Sequence, residues 1–501
     1  MRDALREMAG ADPRIKLVLR PENGHISAAS NSALAVASGE FVALMDHDDI
    51  LPDHALFEVA AALDADPDLD VIYSDEDHID GDGRRNTPYF KSDFNPDLLL
   101  GHNLVSHLGV YRRALLERIG GFRLGFEGSQ DYDLALRAVD ASAPERVHHI
   151  PAVLYHWRSA TGTDTFSEAS LQRCIAAAQR AVADHLERRG HAGEVASHPA
   201  LPNWQRVRRP RPDPAPLVSV IVPTKDRAEL VRPCVDGLLN RTAYSNIEVL
   251  IVDHQSTEPS ALALFAELAR DPRVRVLPHA GPFNYSAINN AAVLQVRGSV
   301  LALLNNDIDV IAPDWLDEMV ALAVLPEVGA VGAKLLYPDD RVQHAGVILG
   351  AGGVAGHFFH GLHADDGSYF GRAALVSTVA AVTAACLVVR RAVFDEVGGF
   401  DAENLPVAFN DVDLCLKIRA RGYRNVWTPH ACLYHHESVS RGSDLEGERL
   451  RRFQREVEFM QHKWGSDLDA DPFYNPNLDL ASADFALAFP PRRRKPWHTT
   501  P

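Results

Sequence analysis

Apolar residues fall along this chain in short runs that end abruptly in polar ones. In the second half, "LVSVIVPTKDR" (217–227) reads as a buried-type strand followed by a turn. A helical stretch follows, then the strand "IEVLIVDHQST" (247–257), another helix, and "VRVLPHAG" (274–281). A helix rich in asparagine and alanine leads on to "VLALLNNDIDV" (300–310), an apolar strand that ends in amides and carboxylates. Strands alternating with helices predict a mainly parallel, doubly wound α/β sheet flanked by helices. Ligands in such sheets bind at the carboxyl ends of the strands, where Asp226, Asp253 and Asp307 all stand.

The first half carries the same acidic strand end, "FVALMDHDDIL" at 41–51, and further blocks recur in the same order. "LLERIGGF" (115–122) returns as "VFDEVGGF" (393–400), "GSQDYDLALRA" (128–138) as "AFNDVDLCLKIRA" (408–420), and "IPAVLYHWR" (150–158) as "TPHACLYHHE" (428–437). Ordered recurrence of this kind predicts a tandem duplication. The first half matches the second only from "IKLVLRPENG" onward, against "VRVLPHAGPF", so counterparts of Asp226 and Asp253 are lacking. The expectation is a first module without its amino-terminal strands, either incomplete in itself or continued by a longer protein. The boundaries expected are a first module over 1–198, a linker over 199–216, a complete module over 217–470 and a tail over 471–501. "PALPNWQRVRRPRPDPAP" reads as a semi-rigid Pro/Arg-rich linker, and "SLQRCIAAAQRAVADHLERRG" before it as an amphipathic helix ending at Gly190.

Composition narrows the class. The chain has 501 residues, 46% hydrophobic and 24% charged, enough for two or three globular domains. No apolar stretch reaches the roughly 18 residues a membrane span requires, and the charged start "MRDALREMAGADPR" is no secretory signal. Five scattered cysteines form no CxxC pair, which fits reduced thiols in a cytosolic protein. A net charge of −18 argues against a nucleic-acid partner. The basic runs "RVRRPRP" and "PRRRKPW" are solvated segments or points of peripheral contact with an anionic membrane.

Asp46 and Asp48 form D-x-D at a strand end, where alternate side chains face the same way and can share a hard cation such as Mg²⁺ or Mn²⁺. An acidic turn capping the helix that starts near Pro52 is the other reading of a lone D-x-D. Its recurrence at Asn305 and Asp307 favours the cation. Asp131 and Asp411 each lead a short helix behind a GGF turn, a placement that suits a general base as well as a favourable helix-dipole contact. Asp133 and Asp413, two residues on, point elsewhere and are expected to serve structure. His156 and His435 recur at matched strand ends, as candidate third ligands with a preference for Mn²⁺. The second module alone carries "RVQHAGVILGAGGVAGHFFHG" (341–361), whose glycines and histidines lack zinc spacing and are expected to wall the pocket.

Taken together, "SVIVPTKDR", "VLIVDHQS", "LLNND", "GGFD", "FNDVDLCLK" and "CLYHHE" resemble the inverting glycosyltransferases of family 2, with the GT-A fold. Relatives with "RVQHAGVILG" segments look like enzymes of O-antigen, rhamnan and other surface polysaccharides. The resemblance implies two GT-A-like modules that move a hexosyl or deoxyhexosyl group from a UDP- or dTDP-sugar. The acceptor implied is a glycan or a lipid-linked oligosaccharide. It implies that Asp226 and Asp253 hold the nucleotide, with Asn305 on the nucleotide side of the metal. Asp307 and His435 would bind Mn²⁺ or Mg²⁺, and Asp411 would deprotonate the acceptor. In the first module Asp46, Asp48 and His156 match the metal ligands and Asp131 the base. A metal-dependent nucleotide-sugar phosphohydrolase, or a first module that only binds and orients glycan, are the competing readings. The expected location is the cytoplasm, with peripheral contact at the inner membrane face by analogy.

Overall fold

The apolar runs become strands, and their pairing separates the chain into two units. A computed structural model describes residues 2–158, 168–436, 447–481 and 485–497. Unit 1 comprises Met1–Phe94, Leu99–Arg208 and Arg493–Pro501; unit 2 comprises Asn95–Leu98 and Arg209–Arg492. Glu437, at the end of "CLYHHE", lies outside the described residues.

Unit 1 is built on β1 (Phe41–Ala43), β2 (Val71–Ile79), β3 (Arg85–Tyr89), β4 (Gly109–Arg112) and β5 (Val147–Arg158). The order is β1-β4-β2-β3, with β5 beside β2. Among the described residues of this sheet only the β2–β5 pair is parallel. Two short strands, β6 (Glu194–Ser197) and β7 (Gln205–Arg208), form an antiparallel ribbon, so the Pro/Arg-rich stretch gives four of its residues to paired structure.

Unit 2 begins with β8 (Val218–Thr224), β9 (Ile247–Asp253), β10 (Val274–Pro278) and β11 (Val300–Leu304). It continues with β12 (Ile308–Val310), β13 (Val328–Leu336), β14 (Val342–His344), β15 (Val347–Leu349) and β16 (Ala355–His357). The last strands are β17 (Ser377–Val379), β18 (Cys386–Arg390) and β19 (Arg424–His435). Its main sheet runs β10-β9-β8-β11-β18-β13-β19-β12. The first four strands pair in parallel, as the strand–helix alternation predicts, and β18 then runs antiparallel to both β11 and β13. Parallel strands are covered on both faces, and β11 is buried at every position. Each fully buried Val, Leu or Ile contributes roughly 1.5–3 kcal/mol, so the middle of the sheet stabilises unit 2 and its polar ends are left for function. The segment after the long helix Gly447–Asp469 is not a loose tail. Tyr474 and Leu478 are buried, and Asp471 Oδ2 accepts the Leu349 N–H at 2.8 Å.

Of the parallel half of unit 2, β8 and β9 are the part that residues 1–198 do not match, which is why antiparallel pairing dominates unit 1. Ile15–Arg20 matches β10 in sequence yet forms no strand, because no strand equivalent to β9 lies beside it. Ile15, Val18 and Leu19 are accordingly about two-fifths exposed, at 41%, 42% and 39%. For the same reason β1 is half-buried and not the enclosed strand its sequence suggests.

The duplication extends to individual hydrogen bonds. Gly120 and Gly121 take φ of +80° and +64°, and Gly398 and Gly399 take +79° and +64°. These left-handed values favour glycine. Asn31 clamps Phe122 by accepting its N–H and donating to its carbonyl, both at 2.8 Å. Asn290 does the same to Phe400, at 3.0 and 2.8 Å. A Cβ on Gly121 or Gly399 would meet the clamping amide oxygen at 2.5 or 2.7 Å. Among the described residues no helix is long and apolar enough to cross a membrane.

Unit 1 also buries an ionised cluster with a pH consequence. His149 lies on β5, with Nε2 2.8 Å from Asp75 and Nδ1 3.1 Å from Asp93. Burial alone would lower its pKa, but the two carboxylates outweigh burial and raise it to about 9. A folded-state value above the ordinary 6.5 stabilises the fold fully below that pH and ceases to do so as pH rises through about 9. Hydrogen exchange of the amides in β2 and β5 is therefore expected to accelerate between these pH values, beyond the intrinsic chemical rate. A His149→Gln chain should lack that extra acceleration.

Candidate active site

Strand register brings the predicted metal residues of unit 2 together. β11 delivers Asn305, Asn306 and Asp307 at its carboxyl end, and β12 then pairs antiparallel with the end of β19, placing Ile308 opposite His435. The neighbouring side chains meet: His435 Nε2 stands 3.2 Å from Asp307 Oδ1 and 3.2 Å from Asn305 Nδ2. Both Asp307 and His435 are buried, and among the described residues Asp307 Oδ1 has no hydrogen-bond partner. Gln343 Oε1 lies 2.6 Å from His435 Nδ1. An amide oxygen can only accept, so Nδ1 donates to it and Nε2 is the ring nitrogen turned toward Asp307. A buried carboxylate oxygen facing an imidazole nitrogen is a donor set that calls for a cation or a proton between them. It fits Mn²⁺ or Mg²⁺, with imidazole favouring the former. Burial first and the Asp307 charge second push the Cys234 thiol up to about 12.

Asp411 is the second residue of the helix Asn410–Ala420, entered through Phe409 in the left-handed region (φ +57°). Its Oδ2 accepts the Ala384 N–H at 3.0 Å, which fixes the carboxylate. Asp411, Asn305, His435, His357 and Tyr337 line one cavity of about 220 Å³. Asp413 turns away, wholly buried, with Lys463 Nζ at 2.6 Å, Trp464 Nε1 at 2.9 Å and Lys417 Nζ at 3.0 Å. Asp413 thus faces structural partners, as its offset from Asp411 along the helix predicts.

A second cavity, of about 170 Å³, shares Asn305 and Tyr285 with the first and adds Thr224, Lys225, His254 and Phe283. Asp226 and Asp253 sit beside it but are turned to the backbone. Asp226 Oδ1 accepts the N–H groups of Glu258 and Thr257 at 2.8 and 2.7 Å, and these bonds hold its carboxyl below the usual range. Asp253 Oδ1 accepts the Ser256 N–H at 2.9 Å. The cavity wall itself is made by their chain neighbours Lys225 and His254, which the sequence reading passed over although "TKDR" and "DHQS" contain them.

In unit 1 the matched residues are less closely joined. Asp46 and Asp48 follow β1 in a loop, with side chains 45% and 67% exposed. Burial first, then the charges of Asp49, Asp131 and Asp48, raise the Asp46 pKa against the pull of His107, whose Nε2 is 3.8 Å away. Asp131 Oδ2 accepts from Asn103 Nδ2 at 2.8 Å. His156 Nδ1 is tied instead to Asp77, which also accepts from Arg85 at 2.6 Å. Among the described residues no ion pair joins His156 to Asp46 or Asp48.

Comparison with known proteins supplies the context. The sequence model of glycosyl transferase family 2 matches residues 1–120 and 219–398, a span that stops short of Asp131, His156, Asp411 and His435. The chain is 50% identical over 491 residues to protein y4gI of Sinorhizobium fredii, covering 97% of this chain and 54% of that one. It is 42% identical over 484 residues to the O-antigen biosynthesis protein RfbC of Myxococcus xanthus, covering 96% and 37%. An N-acetylglucosaminyl-diphospho-decaprenol L-rhamnosyltransferase of Mycobacterium tuberculosis is 27% identical over 227 residues, 40% of this chain and 69% of that enzyme. The chain thus spans about half or less of its two longer relatives.

Proposed function

The chain belongs to glycosyl transferase family 2, and from that premise we propose that unit 2 is a transferase of surface polysaccharide synthesis. In this reading it moves a sugar from a UDP- or dTDP-sugar onto a hydroxyl of a glycan or lipid-linked acceptor. The observation that carries the reading is the convergence of Asp307 Oδ1 and His435 Nε2 at 3.2 Å, beside the cavity that His435 shares with Asp411. The relatives named for O-antigen biosynthesis and rhamnosyl transfer support it. The expected setting is the cytoplasm, at the inner membrane face.

Asp307 and His435 are the residues that would hold a divalent cation, which supplies neutralisation of the charge developing on a leaving diphosphate. Among the described residues no cluster of three or more His, Cys, Asp or Glu side chains is placed to hold a metal alone. Donor phosphate oxygens and water would supply the remaining ligands, as is usual for Mg²⁺. The cavity of Lys225, His254 and Phe283 accommodates the nucleotide, with Asp226 and Asp253 bracing the 253–258 turn beside it. Asp411, held by the Ala384 N–H, takes the proton of the acceptor hydroxyl as its oxygen attacks the anomeric carbon. Asp411 is the one carboxylate lining its cavity among the described residues. A single base with no second carboxylate as nucleophile favours one displacement with inversion.

Unit 1 is assigned a non-catalytic, glycan-orienting role, because its Asp46–Asp48 pair lies exposed in a loop and, among the described residues, no ion pair joins it to His156. The test of the whole reading is to incubate the full chain with a panel of nucleotide sugars, Mn²⁺ and glycan acceptors. One donor should be consumed, the product should have inverted configuration, and EDTA should stop the reaction. Release of nucleoside monophosphate and sugar phosphate with no glycoside formed would point to the phosphohydrolase instead.

A further inference from the structure

The turn that leads into Asp411 is held from outside its own helix. Phe409 takes a left-handed φ of +57° immediately before the helix Asn410–Ala420. That conformation is disfavoured for a bulky residue and persists only where the surroundings fix it. Glu456, on the helix Gly447–Asp469, supplies the constraint: its Oε1 accepts the N–H groups of Val407 and Ala408 at 2.8 and 3.1 Å. Phe453, three residues earlier on that helix, packs its ring on Phe409 with centroids 5.5 Å apart. Asn410 Nδ2 closes the turn by donating to the Val407 carbonyl at 3.0 Å.

Val407, Asn410 and Asp411 all line the cavity, whereas Glu456 is 1% exposed and acts from behind that wall. Glu456, Met460 and Lys463 follow one another at i, i+4 and i+7, so one helix face carries all three. Met460 is wholly buried, and Lys463 and Trp464 reach Asp413. The helix thus grips the segment on both sides of Asp411. The grip at Asp413 anchors the shorter helix. The grip at Val407 and Ala408 sets the direction in which the chain enters it, and with that the place of the Asp411 carboxylate against the Ala384 N–H. Burial raises the Glu456 pKa, while the two N–H groups and Arg452, whose Nε is 3.4 Å from Oε2, pull it down. A carboxyl oxygen can accept the two N–H groups in either protonation state, so reach matters more here than charge.

We propose that Glu456 is a positioning residue for sugar transfer, which fixes the left-handed turn at Phe409 through the Val407 and Ala408 N–H groups and so aims the Asp411 carboxylate into the cavity. The proposal rests on the transferase reading of Asp411. It adds to that reading a residue outside the cavity wall and beyond the span that the family model matches.

Two conservative variants of the full chain separate reach from charge. Glu456→Asp keeps the charge but withdraws the acceptor by one methylene. Glu456→Gln keeps the reach and an accepting oxygen but drops the charge. With the donor found in the nucleotide-sugar panel, Glu456→Asp should lower kcat about 10²-fold, the scale of a misplacement of about 1 Å. The Kd of UDP or dTDP with Mn²⁺ should stay in place, and Glu456→Gln should stay near the parent in both respects. Hydrogen exchange supplies a readout without turnover. The Ala384 amide, whose proton goes to Asp411, should exchange faster in Glu456→Asp, relative to the amides of β11, and at the parent rate in Glu456→Gln. Phe453→Leu, which takes away the ring packed on Phe409, carries the same exchange test if Glu456→Asp does not fold. A Gln variant slower in transfer than the Asp variant would overturn the proposal. So would unchanged Ala384 exchange, or equal losses of kcat and nucleotide affinity. A parent chain that transfers no sugar from any donor removes the transferase reading. Faster Ala384 exchange in Glu456→Asp would then still show that Glu456 places the Asp411 carboxylate, and unchanged exchange would overturn that as well.

Discussion

Asp411→Asn is expected to lower sugar transfer by about 10²–10⁴-fold, the usual contribution of a positioned general base. The amide keeps the shape of the carboxylate and can still accept the Ala384 N–H that fixes it. What it loses is basicity, in a cavity where no other carboxylate is available among the described residues. Nucleotide binding, which we propose for the neighbouring cavity of Lys225, His254 and Phe283, should be unchanged. Asp131→Asn is the matched control in unit 1. It should leave both rate and product as they are, because among the described residues no ion pair joins the histidine of that unit to its exposed Asp46–Asp48 pair. A rate loss shared equally by the two variants would mean that both units perform chemistry.

Asp413→Ala is expected to act on stability and not on the chemical step, although it lies only two residues from Asp411. Its carboxylate is wholly buried against Lys417, Lys463 and Trp464. Removing one partner of a buried ion pair leaves the others uncompensated and costs about 3–5 kcal/mol. Here the lower end applies, because the Lys417 and Lys463 side chains are 20% and 30% exposed and can turn toward water. The denaturant midpoint of unit 2 should fall accordingly, while the Asp411→Asn midpoint stays with the parent. If Asp413→Ala unfolded at the parent midpoint, the buried pair would not be what anchors this helix.

Much of this was legible in the sequence because the duplication doubled every signal. A lone D-x-D or a lone helix-leading aspartate has an ordinary structural explanation, but Asp48 with Asp307 and Asp131 with Asp411 do not recur in order by accident. The separation of Asp411 from Asp413 followed from helical geometry, since residues two apart do not share a face. What escaped the sequence was whatever depends on strand register. Gln343 meets His435 across 92 residues of chain, and His344 meets His357 through a ribbon that no periodicity marks. The half-exposed β1 and the unpaired Ile15–Arg20 were also hidden, because an apolar run is a strand only when another strand lies beside it. The carboxylates of Asp226 and Asp253 illustrate a third limit. Their strand-end positions were read correctly, yet their oxygens face backbone N–H groups and the cavity is walled by the residues next to them.

The most direct test of the central claim is calorimetry of nucleotide sugars against the intact chain and an Asp307→Ala variant, with and without Mn²⁺. The account requires one donor to bind in a metal-dependent way and that binding to vanish in the variant. Binding that is indifferent to Mn²⁺, or that survives in Asp307→Ala, would contradict a metal centre at Asp307 and His435.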